Sequence, residues 1–314
     1  MKDPAGPAPH VGVIFPQTEL GGDTGAIRTW AQEAERAGFG HVVIQDHVLG
    51  ADPAAHVPWT GAFDNLTTVR EPFVVLGYLA GLTSLELVTA VIILPQRQTA
   101  LVAKQAAEVD LLAGGRFRLG VGVGWNQVEY QALGKDFGNR GRRGEEQIAL
   151  LRRLWTEPSV TFHGRYEQVA GAGISPLPYQ RPIPVWIGGY SVPAYERIGR
   201  LADGWFPLMP PGPKLDEALS VIEAAAQRAG RAPADIGMEG QVRYAGDPDA
   251  VAAAVQDWHA AGASHVQVAA ASAGLAGVDD HLAALAQIAD SLALTAPGRP
   301  KPAHEGRNGT GAPR

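Results

Sequence analysis

LELVTAVIILPQRQTALVAKQAAEVDLLAGGRFRLGVGVG, residues 85–124, decides the fold. It opens on an apolar, β-branched run that ends at Pro95, passes into the apolar–polar stretch TALVAKQAAEVDLL, stops at the paired glycines Gly114 and Gly115, and returns to a second strand-like run from Arg116 to Gly124. A strand, a helix closed by glycine and another strand make a βα unit. Continuous Val/Ile/Leu runs belong to strands buried on both faces, as in a parallel sheet.

The same alternation extends in both directions. Upstream, VGVIF at Val11–Phe15 precedes a helical stretch stopped by Gly38, and HVVIQ at His41–Gln45 precedes a long polar loop, Val48 to Arg70, and then a helix opened by Pro72. Downstream come a helix around Gly144–Trp155 and an interruption rich in glycine, proline and aromatics from Thr156 to Arg181. PVWIG, DGWFPLM, IGMEGQVRYAG and HVQVAA follow, each with a helical partner. Eight strand–helix pairs close most economically into an α/β (β/α)₈ TIM barrel with an insertion between strands 4 and 5. An open doubly wound sheet is the alternative. The expected boundaries are a flexible leader at 1–10, the barrel at 11–294 and a disordered tail at 295–314, where TAPGRPKPAHEGRNGTGAPR has no hydrophobic period.

Composition narrows the function. The 314 residues include no cysteine, which removes disulfides, thiolate metal sites, iron–sulfur clusters and a cysteine nucleophile. A formal charge of −6 gives no basic field for a nucleic acid partner, and no apolar run is long enough for a membrane span. A soluble, cytoplasmic protein is expected. No His-x-His, His-Glu-x-x-His or EF-hand pattern is present, so no metal site is expected.

In a barrel, chemistry sits just after the strands. Asp46-His47 is the most pointed such position: a carboxylate and an imidazole there orient a ring and move a proton near neutral pH. The pair alone equally suits a loop cap beside a satisfied polar histidine. Gly188-Gly189-Tyr190-Ser191 is either an anion-binding turn, with Ser191 as helix cap or phosphate donor, or a plain tight turn. Gly120-Val-Gly122-Val-Gly124-Trp125 has tryptophan where a dinucleotide fingerprint needs its third glycine, and Gly134-Lys135-Asp136 lacks the parts of a P-loop. Arg140, Arg142 and Arg143 with Glu145 and Glu146 read as a solvated, charged helix start. Trp155, Trp186 and Trp258 fall on apolar faces as core residues, whereas Trp59 and Trp125, in a loop and at a strand end, are pocket candidates.

Taken together, VIQDH ending at His47, the block from Val88 to Trp125, FGNRG at 137–141, IPVWIGGYS at 183–191 and LADGWFP at 201–207 resemble the luciferase-like monooxygenase superfamily. Within it the chain is similar to the oxidoreductases that use the deazaflavin coenzyme F420, over about residues 10 to 290. The resemblance implies a cofactor ring lying across the strand ends. Asp46 would meet its polar edge, and His47 would stand near the hydride-transfer carbon. Ala90-Val91 would form a non-proline cis peptide in a bulged third strand, Gly188, Gly189 and Ser191 would hold the phosphate, and Gly124 and Trp125 would edge the pocket. Gln17 and Trp59, with Trp125, are the expected substrate-pocket residues for a small-molecule substrate. A sugar phosphate is not expected, because relatives of that kind carry an acidic residue where Trp125 stands, along with several lysines. Flavin mononucleotide (FMN) is the alternative cofactor, bringing a flavin reductase and oxygen with it. A non-catalytic cofactor-binding barrel is the alternative from another class. The resemblance also implies a homodimer, with no interface signature in the sequence, and the Val48–Arg70 loop is a candidate lid over the substrate.

Overall fold

The computed structural model of the chain describes residues 7–20, 22–271 and 273–295. Most of the expected leader and nearly all of the expected tail therefore lie outside the described residues, as does Ser272. The first half runs β1 (His10–Ile14), α1 (Thr24–Arg36), β2 (His41–Ile44), α2 (Pro72–Ala80), β3 (Glu86–Thr89), β4 (Ile92–Ile93), α3 (Thr99–Leu112), β5 (Phe117–Gly122), α4 (Gln127–Ala132) and α5 (Arg140–Thr156). The hairpin β6 (Val160–His163) and β7 (Gln168–Ala172) interrupts it. β8 (Val185–Gly188), α6 (Val192–Leu201), β9 (Gly204–Phe206), α7 (Pro213–Arg228), β10 (Gly237–Arg243), α8 (Pro248–Ala260), β11 (His265–Ala269) and α9 (Val278–Ser291) complete the order.

Pairing is parallel around the barrel, β1 with β2, β2 with β3, β3 and β4 with β5, then β5 to β8, β9, β10 and β11, and β11 returns to β1. With β3 and β4 as two pieces of one strand, this is the closed eight-stranded barrel expected from the sequence. The expected insertion between the fourth and fifth strands is the antiparallel β6–β7 hairpin. Helix starts follow local chemistry: the Asp23 carboxylate accepts from the amides of Gly25 and Ala26, and Glu71 caps α2 ahead of Pro72. Gly114 and Gly115, both at positive φ, end α3.

Four details refine or correct the sequence reading. β1 begins at His10, which pairs with His265, so the barrel starts one residue earlier than expected. The third strand is not continuous but breaks at Ala90-Val91, whose peptide bond is cis, as the resemblance implied. α5 begins at Arg140. Its arginines are not merely solvated, because Arg143 pairs with Glu167 and donates to the carbonyls of Pro95 and Arg97, while the guanidinium of Arg140 lies over Phe137.

The main core lies between the barrel and its helices and includes Trp155 and Trp258, both buried. Inside the barrel, Ile14, Val43, Val88, Trp186, Phe206 and Ala269 form a smaller apolar layer. Beneath it, at the amino ends of the strands, lies a charged floor. Glu239 joins His41 at 2.9 Å and Arg118 at 2.8 Å, Arg118 also reaches Glu86 at 2.7 Å, and the Arg118 guanidinium stacks on Trp186. The interior is thereby plugged, and only the carboxyl-end rim is open for chemistry.

Candidate active site

His47 stands just past β2, where the sequence placed it, but its partner comes from 82 residues away. Nδ1 of His47 is 3.3 Å from Oε2 of Glu129, whose side chain is only 1% exposed. Glu129 sits on α4, which starts where Asn126 accepts from the amides of Val128 and Glu129. The other carboxylate oxygen of Glu129 accepts from the amides of Val48 and Leu49, and Gln96 donates to Oε2 at 3.2 Å. Burial works to raise this carboxyl, but the bonds from His47, Val48 and Gln96 outweigh it and hold it below the usual carboxylate value. An ionised Glu129 can only accept, so Nδ1 of His47 is the donor and Nε2 is the ring atom left to exchange a proton with a substrate.

Asp46 faces the other way. Its Oδ1 accepts from Arg97 at 2.8 Å, and its Oδ2 accepts from Nε of Arg97 and from the amide of Ile93. Burial pushes the carboxyl up against the pull of Arg97, and the geometry serves the carboxylate, since both oxygens accept. Arg97 also reaches Glu71 at 3.0 Å. Asp46 thus ties the end of β2 to the end of β4 and to the turn before α3.

At the centre of the rim is Val91. A Cβ added to Gly122 would lie 2.6 Å from Cγ2 of Val91, and one added to Gly188 would lie 3.0 Å from its Cγ1. Any side chain at either position would meet this one, so the two glycines make room for a single apolar side chain between the strand ends, and Val91 with its flanking glycines forms a small apolar shelf. Gly189 continues the shelf, its carbonyl accepting from the Trp205 indole at 3.2 Å. Ser191 begins α6 and is exposed, but its hydroxyl makes no capping bond, so of its two expected roles the helix cap is not observed.

The Val48–Arg70 loop folds over the other side of His47. Phe63 lies 4.5 Å from the imidazole, Trp125 lies 5.7 Å from it, and Trp59 lies 5.7 Å from Trp125 (ring centroids). Gly61 lets the two indoles close, since a Cβ there would be 2.4 Å from each. A cavity of ≈ 300 Å³ remains between His47 and this loop, lined by Val48, Leu49, Gly50, Phe63 and Asp64 among others. Gln17, Trp59 and Trp125, expected in the substrate pocket, do not line it, although the two tryptophans adjoin it through Trp125 and His47; Gln17 is engaged elsewhere. Its carboxamide is buried and used at both ends, donating to the Gln45 carbonyl and accepting from the amide of Arg70, so it tethers the loop to the barrel.

Residues 10–293 match the sequence profile of the luciferase-like monooxygenases. The chain belongs to that family. Among curated relatives, an uncharacterized protein of Mycobacterium tuberculosis is 32% identical over 207 residues, 64% of this chain and 71% of that one. The FMNH2-dependent dimethylsulfone monooxygenase of Pseudomonas putida is 31% identical over 183 residues, 57% of this chain and 47% of that protein. Among solved structures, the coenzyme F420-dependent tetrahydromethanopterin reductase of Methanopyrus kandleri superimposes with a TM-score of 0.70 at 16% identity, covering 90% of this chain and 98% of that one. Family members are oxidoreductases.

The structure therefore brings His47, Trp59, Trp125, Ala90, Val91, Gly124, Gly188 and Gly189 to one rim and turns Asp46 and Gln17 to scaffolding. Sequence reasoning missed Glu129 and Arg97. The signals were an acidic residue three places after the Asn126 cap and an arginine two places after the proline that ends the third strand.

Proposed function

We propose that the chain transfers a hydride between coenzyme F420 and a small organic substrate. The observation that carries this reading is the His47–Glu129 couple standing beside the bare shelf of Gly122, Val91 and Gly188. In this reading the planar ring lies against the Val91 side chain, which Gly122 and Gly188 leave room for between the strand ends. When bound, the deazaflavin supplies the carbon that takes or gives the hydride. The protein's own part is to orient the ring on Val91, to exclude water with the aromatic loop, and to take or return the substrate's hydroxyl proton at Nε2 of His47, with Glu129 fixing the tautomer. Gly188, Gly189 and the exposed Ser191 hold the phosphate in this reading, and Trp59 and Trp125 face the substrate. Asp46 serves by positioning Arg97 and β4.

The shared fold with an F420-dependent reductase supports the cofactor assignment. The second reading, an FMN-dependent monooxygenase served by a flavin reductase, is favoured by the likeness to the dimethylsulfone enzyme. Turnover of a panel of small alcohols and their carbonyl counterparts, followed by F420 absorbance, separates the two. The F420 reading expects substrate-dependent change without oxygen uptake; oxygen consumption requiring reduced FMN, with no F420 turnover, overturns it. The oligomer we propose is a homodimer through the outer flank of α2 and α3, where Val74, Tyr78, Leu101 and Leu112 are exposed.

A further inference from the structure

Arg243 is the last residue of β10 and pairs in register with Ala269 of β11. Ala269 belongs to the apolar layer inside the barrel, while Met238 and Val242 belong to the outer core. Alternation therefore places Glu239, Gln241 and Arg243 on the inner face, with Glu239 in the floor and Arg243 at the rim. Gln267, the register partner of Gln241, lies inward between His265 and Ala269.

Among the described residues Arg243 has neither an ion-pair partner nor a side-chain hydrogen bond, whereas the rim carboxylates Asp46 and Glu129 are fully engaged. Gln267 is 5% exposed, and its Oε1 has no partner. Among the described residues its Nε2 donates to no protein acceptor, so the amide N–H₂ is left for a ligand. One uncompensated cation at the rim stands above an unsatisfied buried amide, on the seventh and eighth strands, where barrels commonly hold anionic groups.

We propose that Arg243, Gln241 and Gln267 form a subsite for the acidic group of an anionic substrate, on the side of the rim opposite the glycine shelf. A carboxylate or a phosphate ester oxygen would satisfy the same donors. The place of Gln267 on the inner wall, two residues below Ala269, favours a small substrate group at the rim over a cofactor phosphate held at the periphery. Arg243 supplies the planar fork that takes a carboxylate, and the amides close the remaining oxygen positions. That the ligand is a substrate rests on the hydride-transfer reading; the presence of the anion subsite does not.

The probe is benzoate, whose ring suits the aromatic loop, with benzamide as its uncharged match and inorganic phosphate as the second anion. Calorimetric titration of the full chain is expected to show benzoate binding that exceeds benzamide binding and that falls by about tenfold or more in Arg243→Met. Arg243→Lys should retain part of it, and Gln267→Leu should lose part of it. Melting temperature and F420 affinity should stay unchanged in Arg243→Met. Equal binding of benzoate and benzamide, no benzoate binding, or unchanged binding in Arg243→Met overturns the subsite. Loss of F420 and phosphate binding with benzoate unaffected assigns the anion to the cofactor and overturns the substrate role. If neither F420 nor FMN binds yet benzoate still depends on Arg243, the subsite stands and the hydride-transfer reading falls.

Discussion

Glu129 determines what His47 can do. A buried carboxylate on Nδ1 fixes the ring's tautomer and adds a favourable charge opposite the imidazolium that forms when Nε2 takes a proton. His47→Ala should therefore lower turnover by about 10²–10⁴-fold with a modest change in F420 affinity. Glu129→Gln should leave F420 binding near wild type while lowering kcat, because the imidazolium loses its counter-charge. Equal kcat in both variants and the wild type removes the couple from the chemistry. His47 was legible in the sequence because it directly follows a strand. Glu129 was not, since its role depends on a loop and a short helix meeting across 82 residues. Gln17 and Asp46 were legible as rim residues but not as to direction, because a position after a strand does not say whether the side chain turns to the mouth or back to its neighbours.

At the scale of elements, the strands followed their β-branched runs and the helices their caps, so their order was readable, whereas the register was not. The break in the third strand was not readable from period, because Ala90 and Val91 continue the apolar run; only the resemblance marked it. The Val48–Arg70 loop has no hydrophobic period, yet it is held by the Gln17 tether, by Glu129 at its base and by Gly61 between two indoles. Gly61→Val should force Trp59 and Trp125 apart. The expected result is a red-shifted, more quenched tryptophan emission and a higher KM, with melting temperature little changed, because the loop contributes few residues to the main core. An unchanged spectrum and KM would mean that the loop does not cover the substrate.

At the scale of the whole molecule, the charged floor links stability to pH. Burial, with Arg118 and His41 nearby, pushes His265 down from 6.5 to about 3. Burial alone would raise Glu239, but His41 and Arg118 hold it down, from 4.5 to about 2. Both groups bind protons less readily in the folded chain than in the unfolded one, so stability is full above pH ~6.5 and is lost as pH falls. The loss runs first through the His265 window from 6.5 toward 3, then through the Glu239 window from 4.5 toward 2. Thermal unfolding should show a plateau near neutral pH and a decline below it, and His265→Asn should flatten the upper part of that decline. A melting temperature independent of pH between 7 and 4 contradicts the role given to the floor.

With the interior filled from below by that floor, the rim alone is left to bind a ring, and equilibrium titration of the purified chain with F420 and FMN side by side tests this most directly. F420 should bind saturably and at least about tenfold tighter than FMN, a difference of about 1.4 kcal/mol. Tighter binding of FMN, or no saturable binding of either, would contradict the account.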